Sequence, residues 1–134
     1  MGNKAFLDSN VYLSLFNEDD STHDEAVNIK EYVDNEMFEI FTSNYIINEC
    51  LTIISQRFDH HLAVKFGEDM YKSQTRILNT GKKIEKIAWD IFQGNINKDI
   101  SYADCTNIAF CIRYNIPKLI TFDKHLLHLF NKTV

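Results

Sequence analysis

Two apolar runs in this 134-residue chain close on an aspartate, KAFLD at Asp8 and PKLITFD at Asp123. An isolated buried charge is expensive unless it is paired, hydrogen-bonded or bound to a metal. Two further acids interrupt helical stretches that are otherwise apolar: Glu49 within IINECLTII, and Asp104 near the start of YADCTNIAFCIRY. Carboxylates brought within a few ångströms repel and raise one another's pKa unless divalent cations neutralise them. An oxygen-only donor set, with no CxxC pair and no sustained His spacing, favours Mg²⁺ or Mn²⁺. Two such ions about 3.5–4 Å apart would stabilise the attacking and leaving oxygens of an in-line phosphodiester displacement, and a single ion is the other arrangement left open.

For these acids to act together the chain must bring four distant segments to one place. KAFLD (4–8), FEIFTS (38–43), TRILN (75–79) and PKLITFD (117–123) read as strands. Helices are expected from Ser9 or Asn10, and through AVNIKEYVDN behind a capping box at Ser21 or Thr22 with Asp24 or Glu25. Ser43 or Asn44 caps YIINECLTIISQRF, whose Ile46, Ile47, Leu51, Ile54 and Phe58 keep a period near 3.6. HLAVKFGEDMYKS, IEKIAWDIFQ, the Ser101-capped YADCTNIAFCIRY and KHLLHLF complete the helices, and NKTV reads as an edge strand or a frayed tail. The helix before Pro117 must stop short of it, because the residue preceding a proline is pushed from helical angles.

Strands separated by helices of this length imply parallel crossovers, hence a three-layer α/β/α sandwich with a mainly parallel sheet. Ligands of such sheets bind outside the carboxyl ends of the strands, near a topological switch point. Asp8 and Asp123 emerge at that edge, Asp104 faces it from a helix N-terminus, and Glu49 leans toward it from a helix flank.

The bulk composition agrees with a globular α/β chain. Hydrophobic residues make up 45% and charged residues 25%, with four glycines and one proline, which excludes a disordered tail or a repeat array. One domain over residues 1–134 is expected. No stretch reaches the about 18 apolar residues of a membrane span, so a cytoplasmic protein is expected. Cys50, Cys105 and Cys111 are too scattered for a disulfide framework or zinc site and read as buried thiols. The net charge of −5 argues at first against a nucleic-acid partner. Four of the acids are candidates for the site, however, and the remainder is nearly balanced. Arg57, Lys72, Arg76, Lys82, Lys83, Lys86 and Lys124 are the local cations available to a phosphate backbone.

In FLDSNVYLSLF, SNYIINECLTII, SYADCTNIAF and LITFDKHL the chain resembles the PIN-domain ribonucleases, whose four acidic motifs follow this order along nearly the whole length. The size resembles the VapC-type toxins of toxin–antitoxin pairs. The resemblance implies a parallel α/β/α fold, an RNA-cleaving site holding Mg²⁺ or Mn²⁺, a cognate antitoxin protein and a homodimer. Carried over by position, it makes Asp8, Glu49, Asp104 and Asp123 the metal-binding set. Asn10 and Thr121 match polar positions that would orient the carboxylates or their waters. His23 followed by Ala26 matches a recurrent feature without assigned chemistry. The pattern departs after Asp123, where Leu126 and Leu127 stand in place of the more usual aromatic residue.

Each acid also has a plain structural reading. Asp8 caps a helix, Asp123 ends a strand in a turn, Ser101-x-x-Asp104 is a capping box, and Glu49 pairs with Arg57 or Lys72. His125 and His128 read as a solvated flank or phosphate neighbours, and KK-x-x-K at 82–86 as a solvated helix start. Asp19, Asp20, Asp59, His60 and His61 read as loop and helix-end polarity. Phe38, Phe41, Tyr45, Trp89, Phe92 and Phe110 are expected in the core. The leading functional reading is a metal-dependent endoribonuclease; its rivals are an inactive PIN-like RNA- or protein-binding module and an aspartyl-phosphate enzyme using Asp8. A phosphatase of the latter kind would want a second aspartate where Asn10 stands.

Overall fold

A computed structural model describes residues 2–134. The elements run β1 (Lys4–Leu7), α1 (Ser9–Phe16), α2 (His23–Asn35), β2 (Glu39–Ser43), α3 (Asn44–Arg57), α4 (His60–Lys72), β3 (Arg76–Leu78), α5 (Lys82–Gly94), α6 (Tyr102–Tyr114), β4 (Lys118–Ile120) and α7 (Lys124–Thr133). The four strands form one sheet in the order β3-β2-β1-β4. All pairings are parallel, with Phe6 opposite Phe41 on one side and Leu119 on the other.

That order fixes where the helices lie. Crossovers between parallel strands are right-handed, so the two steps from β1 to β2 to β3 put α1–α4 on one face. The return from β3 to β4 runs the opposite way across the sheet and puts α5 and α6 on the other. The helix packing agrees: α1 packs on α2 and α3, α3 on α4, and α5 on α6. The fold is the expected α/β sandwich. Its switch point lies between β1 and β4, where the connections diverge.

β1 has a strand on each side and helices on both faces, which explains why Ala5, Phe6 and Leu7 are consecutive rather than alternating apolar residues. Phe6 stacks on Phe110 of α6 at 5.8 Å between ring centroids, and in α6 every residue from Cys105 to Cys111 is buried. The edge strands β3 and β4 are three residues long and begin on exposed Arg76 and Lys118, which discourages edge pairing. Among the described residues no helix is long and apolar enough to cross a membrane.

Several local expectations are corrected. NKTV is no strand: Asn131 to Thr133 continue α7, which its amphipathic face against Leu126 and Phe130 sustains. No capping box opens α2, because the Thr22 hydroxyl is spent on Asp20 and Ser14 instead. Trp89, Phe92 and Tyr45 lie on the surface rather than in the core, and Phe38 only packs against it, whereas Phe41 and Phe110 are buried as expected. The periodicity of α5 accounts for this: Ile84 and Ala88 face inward, and Trp89 and Phe92 occupy an adjoining face.

α6 stops as Pro117 requires, on Asn115 in the left-handed region. α2 stops the same way on Met37, with φ 55° and 84% of its surface exposed. Unlike Asn115, Met37 has no local polar compensation for that conformation. Met37→Gly should therefore raise stability by about 0.5–1 kcal/mol, read as a higher urea midpoint at unchanged slope.

Candidate functional site

The carboxyl end of β1 turns directly into α1, and Asp8 is the residue at the turn. Its backbone N–H donates to the carbonyl of Ile120, continuing the β1–β4 ladder by one bond at 3.0 Å. Its side chain caps α1, Oδ1 accepting from the Ser9 N–H at 2.7 Å. The capping reading of Asp8 is thus correct and does not exhaust the residue. Oδ1 also accepts from Asn107 Nδ2 at 3.2 Å, and Oδ2 accepts from the Thr121 hydroxyl at 2.9 Å.

Thr121 is the hub between the two strand ends. Its Oγ1 accepts from Asn10 Nδ2 at 3.1 Å and from the Asp123 N–H at 3.0 Å, while its one proton goes to Asp8. A hydroxyl has one donor and two acceptor positions, and all three are used. Asn10 is fixed in turn: its Oδ1 accepts the Phe122 N–H at 3.2 Å, which leaves Nδ2 for Thr121. Thr121 thus donates to the Asp8 carboxylate, and Asn10 holds Thr121 in place.

Asp104 and Asp123 are each held at a helix N-terminus, where amides and the helix dipole favour negative charge. Asp104 Oδ2 accepts from the Ser101 N–H, and Ser101 Oγ from the Asp104 N–H, both at 3.0 Å, completing the capping box. Asp123 Oδ1 accepts from the N–H groups of His125 at 2.9 Å and Leu126 at 3.2 Å. One oxygen of each carboxylate is therefore not spent on capping amides. Glu49 projects from the exposed flank of α3. It forms no ion pair with Arg57 or Lys72 among the described residues; Lys72 lies 3.9 Å from Glu68.

All four acids line one cavity of about 900 Å³, together with Ser9, Asn10, Asn107, Tyr45 and Tyr102. The pKa values of three of them, Asp8, Glu49 and Asp104, show the influence of their neighbours. Burial raises the pKa of Asp8, against the hydrogen bonds from Thr121, Ser9 and Asn107, and the charge of Asp123 adds to the rise. Desolvation raises Glu49, and Asp8 and Asp104 push it further. Asp104 is raised first by burial and then by Asp8 and Asp123, while Ser101 opposes the shift. Among the described residues no three acidic, imidazole or thiol side chains are drawn close enough to hold a metal ion as they stand.

The donor set nevertheless suits a hard divalent cation: four carboxylates, with amide and hydroxyl oxygens beside them. Thiols do not compete. Cys50, Cys105 and Cys111 are free and buried, and burial pushes Cys50 and Cys111 up to about 12. His125 sits at the rim with Nε2 3.7 Å from Oδ2 of Asp99, another residue of the cavity wall. Asn107 was not singled out by sequence reasoning. Its signal was available: it stands one turn after Asp104 on the same helix face, a buried amide in the apolar run CTNIAFC.

A PIN domain family model matches residues 5–130. The chain is 24% identical over 118 residues to the 23S rRNA-specific endonuclease VapC20 of Mycobacterium tuberculosis strain CDC 1551 / Oshkosh, covering 88% of each protein. The same values hold for VapC20 of strain H37Rv. Among solved structures, the fold resembles the crystal structure of M. tuberculosis VapC20, a sarcin-ricin loop cleaving toxin, with a TM-score of 0.82 at 21% identity over 92% of this chain and 93% of that one. It also resembles FitAcB from Neisseria gonorrhoeae, with a TM-score of 0.73 at 16% identity over 95% and 93% of the two chains.

The raised pKa values carry a sign. A carboxyl group whose folded pKa exceeds its unfolded value stabilises the fold at low pH, and that contribution is lost as pH rises through the folded value. The metal-free site should therefore weaken the fold progressively above the ordinary carboxylate range. Glu49→Gln removes one of the repelling charges without breaking a cap. It should raise the metal-free melting temperature at pH 7 by a few degrees and flatten its decline above the ordinary carboxylate range, measured by thermal denaturation in chelator.

Proposed function

The chain belongs to the PIN domain family, and from that premise we propose that it is a metal-dependent endoribonuclease, hydrolysing RNA phosphodiester bonds with Mg²⁺ or Mn²⁺ as its cofactor. The observation that carries this reading is the gathering of Asp8, Glu49, Asp104 and Asp123, from four separate segments, around one cavity at the switch point of the sheet. The names of its relatives, a 23S rRNA-specific endonuclease and a sarcin-ricin loop cleaving toxin, support the choice of RNA as substrate.

In this reading Asp8, Glu49, Asp104 and Asp123 are the residues that hold the cation. Bound there, a divalent ion would lower the pKa of a water and offset the charge developing on the phosphate oxygens. The residues of the chain supply the rest. Three donors, Ser9, Asn107 and Thr121, oppose the rise in pKa that burial imposes on Asp8. Asn10 and Thr121 hold it and the Asp123 backbone in one register, so the separation of the two strand-end acids is set by hydrogen bonds rather than by their repulsion. Asp104 and Asp123 are restrained by a single oxygen each, which leaves the other to face a cation. No side chain need attack the phosphorus.

By the same resemblance the protein is a toxin of a toxin–antitoxin pair, cytoplasmic, homodimeric and held in check by a cognate antitoxin protein. A small gene beside its own, encoding a DNA-binding protein with a loose tail, is the expected genetic context.

Asp8→Asn and Asp104→Asn should each abolish RNA cleavage in added Mg²⁺ or Mn²⁺ while leaving the circular dichroism spectrum unchanged. Full activity in both variants would exclude the assignment. Thr121→Val leaves every carboxylate present and should lower the rate about 10- to 100-fold, as loss of a group that orients metal ligands typically does. Mn²⁺ at about 100 times its dissociation constant should stabilise the wild type by about 2.7 kcal/mol, and Asp8→Asn should lose most of that gain.

A further inference from the structure

The cavity wall continues onto the surface as a row of aromatic rings. Tyr102 lines the cavity beside Tyr45. Its ring meets Phe92 of α5 edge-on at 5.6 Å between centroids, and Phe92 meets Trp89 at 6.1 Å. The Tyr102 hydroxyl donates to the carbonyl of Glu85 at 3.4 Å, which ties the start of α6 to the first turns of α5. Phe92 is 40% exposed and Trp89 50% exposed. They share one face of α5, and the exposed Lys82 and Lys83 open the same helix.

We propose that this row is a stacking platform for the bases of a single-stranded RNA segment whose backbone enters the acid-lined cavity. The proposal rests on the nuclease reading of that cavity and names the form of RNA it would take. One observation favours RNA over a second protein: the rings run without a break from Tyr102 in the cavity wall outward to Phe92 and Trp89, so a chain lying along them continues into the cavity. The net charge of −5 and the acidic candidate site repel a phosphate backbone, so such a chain must be held by other means. A polyanion therefore gains little from overall electrostatics, whereas stacking on aromatic faces is independent of charge and tolerant of sequence. Lys82 and Lys83 supply local cations for the phosphates.

Trp89 is the only tryptophan in the chain, so its fluorescence reports directly on the platform. The experiment is a titration of the full chain, in chelator and at low salt, with a short single-stranded oligoribonucleotide of mixed sequence and with an abasic oligomer of equal length. The RNA should quench Trp89 emission and the abasic backbone should not. Phe92→Ala should weaken binding about tenfold, and Trp89→Ala should raise KM for cleavage by a similar factor with kcat little changed, restored by Trp89→Phe. Equal quenching by the abasic oligomer would overturn the proposal. So would an emission change that follows protein concentration without RNA, which would mean that a second copy covers the rings. Base-dependent quenching without cleavage in Mg²⁺ or Mn²⁺ would leave the platform standing and remove the nuclease reading; cleavage without quenching would do the reverse.

Discussion

Gathering like charges at one edge of a sheet opposes folding twice over, through desolvation of each carboxylate and through repulsion among them. The structure meets this constraint with hydrogen-bond donors rather than with cationic side chains. Asp8, the most deeply placed of the four, receives a backbone amide, a side-chain amide and a hydroxyl. Asp104 and Asp123 are each set on a helix N-terminus, where the donors are main-chain groups that the helix leaves unpaired in any case. An Arg or Lys in the same place would neutralise the acids permanently and occupy the space a cation needs.

The fold and the acids were legible in the sequence for the same reason. In a parallel sheet with both faces covered, strands are short apolar runs, and the residue that ends such a run is the one at the binding edge. Asp8 and Asp123 were therefore marked by position as much as by chemistry, and Asp104 by its spacing from Ser101. Glu49, set among the apolar neighbours IIN and CLTII, was read as leaning toward that edge from a helix flank, and it lines the cavity from an exposed flank of α3. Asn107 carried only a one-turn offset from Asp104, a weak signal beside a carboxylate. The aromatic residues of α5 misled for a physical reason: periodicity identifies an apolar face, but not whether the molecule itself covers it.

Relatives that retain this fold at 24% identity or less show how little of the chain is constrained by the fold itself. Fold and function are separable in principle, and chemistry is argued from the site. Here the two are linked through the hydrogen bonds that join β1 to β4. The register of these strands, Phe6 opposite Leu119, is also what brings Thr121 within reach of Asp8. A slip of one residue in that pairing would invert the side chains of β4 and leave the hydroxyl pointing away.

The same pairing spans almost the full length of the polypeptide: Asp8 and Thr121 are 113 positions apart. Contacts so distant in sequence form late, since the loop that joins them must be closed first. During synthesis β1 therefore emerges well before β4, and until β4 and the turn after it are made, Asp8 has neither the Ile120 carbonyl nor the Thr121 hydroxyl to settle it.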